Sequence, residues 1–147
     1  MKSLRSSVFG TMKLDEEMHL LPTYLADYQV PGYGKILVKL VALADDSPKW
    51  PDFVCKAEST YNQLLTREKE FRLMAAPNIY ALHNEYFESE WADSAEELIL
   101  AIKLCSLHFF SNGACELWYQ GGAAFHDCEV RIKLDDKLAL GDVGIEG

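Results

Sequence analysis

Bases are scarce in this sequence, paired cysteines and long apolar runs are missing, and each shortage removes a class of function. Fourteen Lys and Arg stand against 23 Asp and Glu, a formal charge of −9 over 147 residues. Binding a phosphate backbone or an anionic membrane surface draws on clustered cations, so neither nucleic acid nor membrane is an expected partner. A basic protein partner is compatible with this charge; so is the plainer reading that net charge keeps a small protein soluble. The longest nearly uncharged apolar run, Leu98 to Ile102, is far short of the about 20 residues that a membrane-spanning helix needs. Met1 to Ser7 carries Lys2 and Arg5 with no apolar stretch of about 7–15 residues behind it, so no secretory leader is expected and the cytoplasm is the expected compartment. Cys55, Cys105, Cys115 and Cys128 show no CxxC spacing and read as reduced thiols, mostly buried as small hydrophobes. HExxH, GxSxG, GxGxxG and phosphate-cradling glycine loops are absent, which leaves enzymatic activity without support in the motifs.

What is present predicts a single α+β domain over residues 1–147, a mostly antiparallel sheet of N-terminal hairpins and a C-terminal meander with two to three helices on one face. Val8 to Leu14 and Met18 to Tyr24 read as a hairpin, followed by a turn at Pro31, Gly32 and Gly34. Lys35 to Leu43 has branched apolar residues on both parities, which marks a central strand. Ser47 and Pro48 form a cap and first helical position, with Pro51 able to delay the helix by a turn. Phe53, Ala57, Tyr61, Leu64, Leu65 and Phe71 then recur on one helical face, and the band Arg67, Glu68, Lys69, Glu70 reads as solvated. Pro77 is expected to end this helix at Ala76 and a second one to run from Asn78 to Phe87. Ser94 to Glu97 is a capping box opening a helix from Ala95 to about Leu104, with Leu98, Ile102 and either Ile99 or Ala101 inward.

The C-terminal half reads as strands joined at Asn112-Gly113, a type I′ signal, and at Gly121-Gly122. Two-residue loops at both would pair Phe110 with Cys115, His108 with Leu117, Leu117 with His126 and Cys115 with Cys128. One face would then collect His108, Phe110, Cys115, Leu117, Tyr119, His126 and Cys128. The last strand alternates His126, Cys128, Val130, Ile132 and Leu134 against Asp127, Glu129, Arg131 and Lys133, one side packed and one wet. Proline is absent from Ser106 onward, as suits a sheet.

The Ser94 capping box, Leu104 to Phe110, the Gly113 turn, Glu116-Leu117-Trp118-Tyr119, Phe125 after a glycine turn, and Ile145-Glu146-Gly147 together resemble a family of small bacterial proteins classed as a domain of unknown function. Val8-Phe9-Gly10 is similar to the start of that family. The likeness covers about the last two-fifths of the chain; it implies an α+β fold, carries no activity, and points to a role as an immunity protein. The family pattern after Phe125 runs aromatic, Gly, His, whereas this chain has His126, Asp127 and Cys128.

Three constellations compete as sites. Cys105, His108, Cys115, His126 and Cys128 have ligand chemistry, but the expected register sets the two histidines on either side of Leu117, roughly 10 Å apart at normal strand spacing. No metal or other cofactor is expected. A thiolate at Cys115 or Cys128 would need an exposed, electropositive setting that an acidic molecule and interior strand positions do not give. No catalytic residue is therefore assigned, and a small hydrolase or small-molecule-binding protein using His83, His126 and carboxylates such as Glu85 and Glu88 is the alternative. The better-supported site is a partner surface. Between Leu73 and Ile102 stand six acids, Glu85, Glu88, Glu90, Asp93, Glu96 and Glu97, and no Lys or Arg. Aromatic anchors inside an acidic rim supply buried area and steering toward a basic protein. The expected contact residues are Tyr80, Tyr86, Phe87, Glu88, Glu90, Trp91 and Asp93. The competing reading has the rings plugging the core and the acids serving the helix start at Ser94. An exposed sheet edge would equally serve a homodimer.

Overall fold

A computed structural model describes residues 3–17, 20–87 and 94–147. The elements run β1 (Ser3–Ser6), β2 (Gly10–Leu14), β3 (Thr23–Val30), β4 (Gly34–Val41), α1 (Trp50–Tyr86), α2 (Ala95–Ala101), β5 (Lys103–Phe110), β6 (Cys115–Gln120), a 3-10 turn (Gly122–Phe125), β7 (Glu129–Leu134) and β8 (Leu140–Glu146). The strands form one eight-stranded sheet in sequence order. Every neighbouring pair is antiparallel except β4 with β5, which run parallel because α1 and α2 carry the chain back between them. The mostly antiparallel α+β architecture expected from the sequence is present, with two helices among the described residues.

Helix α1 lies along the strands, and the sheet curls around it. The helix packs against both edge strands, β1 and β8, and Phe9 beside β2 meets Phe109 of β5 with ring centroids 6.1 Å apart. Such a meeting across the two intervening strands, β3 and β4, requires a strongly rolled sheet. The stripe Phe53, Ala57, Tyr61, Leu64, Phe71 and Ala75 fills the trough, facing Ile36, Val38 and Leu40 of β4 and Leu107, Leu117 and Ile132 from the second half of the sheet. A carboxylate fastens the helix to the first hairpin: Glu58 accepts from Ser6 Oγ at 2.6 Å, Ser7 Oγ at 3.0 Å and the Val8 amide at 3.2 Å. Burial pushes the Glu58 carboxyl up, but these donors outweigh it and leave the pKa below its usual value.

The structure corrects several expectations. The helix begins two residues later than Ser47-Pro48 predicts, at Trp50 with Lys49 as its uncapped start, a shorter delay than the full turn that Pro51 allowed. It then passes through Pro77 without stopping and absorbs the second helix expected from Asn78. Pro77 is exposed, while its neighbours Ala75, Ala76 and Ile79 are buried; tertiary burial holds the axis where the proline ring disfavours it. In the expected N-terminal hairpin, β3 starts at Thr23 and runs to Val30, later than Met18 to Tyr24; Met18 itself lies outside the described residues. Ser94 caps α2 as predicted, its Oγ accepting from the Glu97 amide at 3.3 Å, and Leu98, Ile99 and Ile102 are the inward residues. The helix stops at Ala101, however, and Leu104 belongs to β5.

Both C-terminal loops are longer than two residues. Phe110 N–H donates to Ala114 O at 2.9 Å, which closes a three-residue loop of Ser111, Asn112 and Gly113, the last with φ of +92°. The register becomes Phe109 opposite Cys115 and His108 opposite Glu116, one residue away from the expected pairing, and a slip of one exchanges the two faces of a strand. Cys115, Leu117 and Tyr119 therefore face inward, whereas His108 and Phe110 lie on the outer face. Between β6 and β7 the 3-10 turn intervenes, so Leu117 faces Ile132 and Cys115 faces Leu134. His126 and Cys128 are loop residues.

Candidate functional site

With about 1.5 Å of rise per residue, the 37-residue α1 is about 55 Å long, whereas the longest strands, of eight residues, span only about 26 Å. The last turns of α1 therefore overhang the sheet and are received by α2 and the 3-10 turn. The expected partner surface falls on this overhang. His83, 1% exposed, contacts Ala124 O through Nε2 at 2.8 Å. Phe87 is half-buried, edge-on to Phe125 at 6.0 Å and stacked on His126 at 4.8 Å with 9° between the planes. Tyr80 is half-buried against the core, and Tyr86 stands 62% exposed. Glu88, Glu90, Trp91 and Asp93 lie outside the described residues. The turn that carries His126 also brings exposed Asp127 to the exposed Glu85, Glu96 and Glu97 end of the molecule; sequence order alone hides this neighbour. His83 and His126 do not converge on a cavity: the Phe87 ring contacts both, one tilted at 5.5 Å and the other stacked.

The thiols are held as core and surface groups. Burial, with Glu116 and Asp135 nearby, pushes Cys115 up to about 12, and burial with Glu129 pushes Cys105 up to about 12. Both stay protonated at neutral pH, the opposite of an activated nucleophile. Among the described residues no group of three His, Cys, Asp or Glu side chains is placed to hold a metal ion.

Two polar networks were illegible in the sequence. On the outer sheet face, buried Glu116 accepts from Trp118 Nε1 at 3.0 Å, and His108 Nδ1 lies 3.5 Å from the same oxygen. Burial dominates His108 and lowers its pKa, so the imidazole is uncharged at neutral pH and this contact is no ion pair there. Arg131 reaches Glu146 at 2.6 Å and Asp142 at 3.2 Å. At the inner face, Glu68 is 1% exposed, so the band expected to be solvated contains a core carboxylate. It receives Arg72 Nε and Nη2, each at 3.0 Å, and Tyr119 Oη–H at 2.7 Å. Arg72 Nη1 in turn donates to Ile99 O at 2.9 Å and Ile102 O at 3.1 Å. Burial pulls the Arg72 pKa down, yet the Glu68 hydrogen bonds and charge outweigh it and raise it. Burial beside Glu68 raises both Tyr119 and Tyr33. A cleft of about 600 Å³ opens above this network between α1, α2 and the β3–β4 turn, lined by Tyr33, Lys69, Leu73, Leu100, Lys103 and Leu104 among others.

Comparisons with family models, with curated proteins and with solved structures give no match in any of the three. The fold and the two ends of α2 thus define the class on their own: an α+β protein with an acidic, aromatic overhang at one end of that helix and an apolar cleft at the other.

Proposed function

We propose that this chain is a non-enzymatic binding protein that captures a basic protein through the overhang formed by the last turns of α1 and the start of α2. The observation that carries this reading is Tyr86, a large ring left 62% exposed within a stretch from Met74 to Glu97 that holds six acids and no Lys or Arg. An exposed tyrosine ring on a helix end costs little conformational freedom to bury, and the surrounding carboxylates raise the encounter rate with a cationic surface. Asp127, carried in by the Phe87–His126 stack, extends the acidic rim. Phe87 supports the surface from beneath, since its ring is already packed on Phe125 and His126. Neutralising a basic toxin is the narrower form of this proposal.

The test is capture from lysate of the native cell on immobilised protein, at low and high salt, with a variant carrying Tyr86→Ala, Glu85→Lys and Glu96→Lys. All three positions are exposed, so the variant should retain the wild-type melting transition. A stoichiometric basic partner should bind at low salt, dissociate as salt rises, and lose about 30-fold or more in affinity to the variant, the scale of one hot-spot residue plus lost steering. A partner held equally well by the folded variant would place the interface elsewhere.

A further inference from the structure

The cleft at the opposite end of α2 is lined by Lys69 and Lys103, and its one lining carboxylate, Glu68, is paired with Arg72. Its volume of about 600 Å³ lies within the range of about 300–1,000 Å³ typical of small-ligand sites. At its floor the Glu68 and Arg72 charges cancel, and their donors and acceptors are taken up by Tyr119, Ile99 and Ile102. That pair holds the walls in place and leaves no charge for a ligand to answer. Lys69 of α1 and Lys103 of β5 line the same cleft, and neither forms an ion pair among the described residues. In a chain of net charge −9, this is a local excess of two uncommitted cations.

The walls between them are apolar. Leu73 is 58% exposed and Leu100 82% exposed at the mouth, while Ile102 and Leu104 are buried behind them. Both exposed leucines lie off the buried stripes of their helices, so neither is needed by the core; each is apolar surface left facing a concavity. The Tyr33 ring closes one side, where burial and then the Glu68 charge raise its pKa.

We infer that this cleft binds a free, single-chain amphipathic anion, with an apolar body of about ten carbons, which the cleft has room to hold, and a carboxylate or phosphate head. The body lies against Leu73, Leu100 and Tyr33, and the head is met by Lys69 and Lys103. The cleft's lysine pair selects the sign of the head group, and its leucine mouth selects the apolar body.

Isothermal titration of the full chain with octanoate, decanoate, decyl phosphate, decanol and decyltrimethylammonium, each below its micelle concentration, tests this. The two decyl anions should bind one to one, octanoate should bind more weakly by roughly fourfold per methylene removed, decanol about tenfold more weakly than decanoate, and the cation not at all. Lys69→Gln with Lys103→Gln should remove the preference for decanoate over decanol and leave decanol binding unchanged. Leu100→Asp, at a position too exposed to threaten folding, should abolish binding of all of them. Four results would overturn the assignment: equal affinity for the three head-group charges, decanoate binding untouched by a folded Leu100→Asp variant, no decanoate binding at about 1 mM, a concentration where even weak sites fill, or binding only to phosphatidylglycerol vesicles.

Discussion

Removing the Glu68 carboxylate would strand the Arg72 guanidinium, whose side chain is 17% exposed and whose remaining donors are held by the Ile99 and Ile102 carbonyls. Uncompensated buried charge is the costly case for ion pairs, so Glu68→Ala should destabilise the fold by about 3–5 kcal/mol. The double variant Glu68→Leu with Arg72→Met should cost less than the single one, because it removes both charges from the interior. Urea unfolding of the two variants checks this, and a cost below about 1 kcal/mol for Glu68→Ala would show that the pair is not what pins α2 to α1. The sequence held a clue to this residue. Glu68 sits four positions after Leu64 and three before Phe71, on the same stripe as both, but a run of four charges reads as a solvated face, and only the distant Tyr119 and the α2 carbonyls explain why one of them turns inward.

At the level of elements, periodicity served α1 well and loop chemistry served the sheet poorly. Phe53, Ala57, Tyr61, Leu64 and Phe71 are all buried as their spacing predicts, as are Val130, Ile132 and Leu134 of β7. The meander's register escaped because Asn112-Gly113 sits inside the three-residue loop closed by Phe110 and Ala114, where Asn112 Oδ1 accepts from the Ala114 amide at 2.9 Å, and one loop residue more than expected exchanges faces. The second loop turns on His126 and Asp127, at φ of 51° and 63°, residues whose left-handed backbone no glycine announces. The cleft was hidden for a related reason: Leu73 and Leu100 look like ordinary helix residues until α1, α2 and the β3–β4 turn are assembled. Pro77 is where local preference and packing conflict most directly. Replacing it with Ala restores an amide donor for the Leu73 carbonyl and relieves the ring clash, so Pro77→Ala should raise stability by about 1–3 kcal/mol in thermal or urea unfolding. A loss instead would mean that Ile79 and His83 reach their places only through a bend the proline imposes.

Across the whole molecule, charge is segregated along the second helix. Its start belongs to an acidic rim with Glu85, Glu96, Glu97 and Asp127, and its end overlooks Lys69 and Lys103, which form no ion pair among the described residues, so the two proposed sites lie about one short helix apart and can be tested by separate substitutions. The rolled sheet makes this possible by gripping α1 along much of its length while leaving its last turns outside the trough.

The lone parallel pairing of β4 with β5 sets a clock for self-assembly. All other strand neighbours are joined by short loops and meet in about microseconds, whereas this seam closes only when everything from Ala42 to Ile102 has been laid across the sheet. Contacts so distant along the chain are slow to gain, and they are the contacts a folding transition state must hold. Val38→Ala and Leu107→Ala, paired across that seam, should therefore slow refolding in stopped-flow experiments, while Leu4→Ala in the first hairpin should chiefly hasten unfolding. The reverse assignment of rates would mean that two preformed halves dock after the barrier, with the helical crossover as a tether rather than the pacemaker.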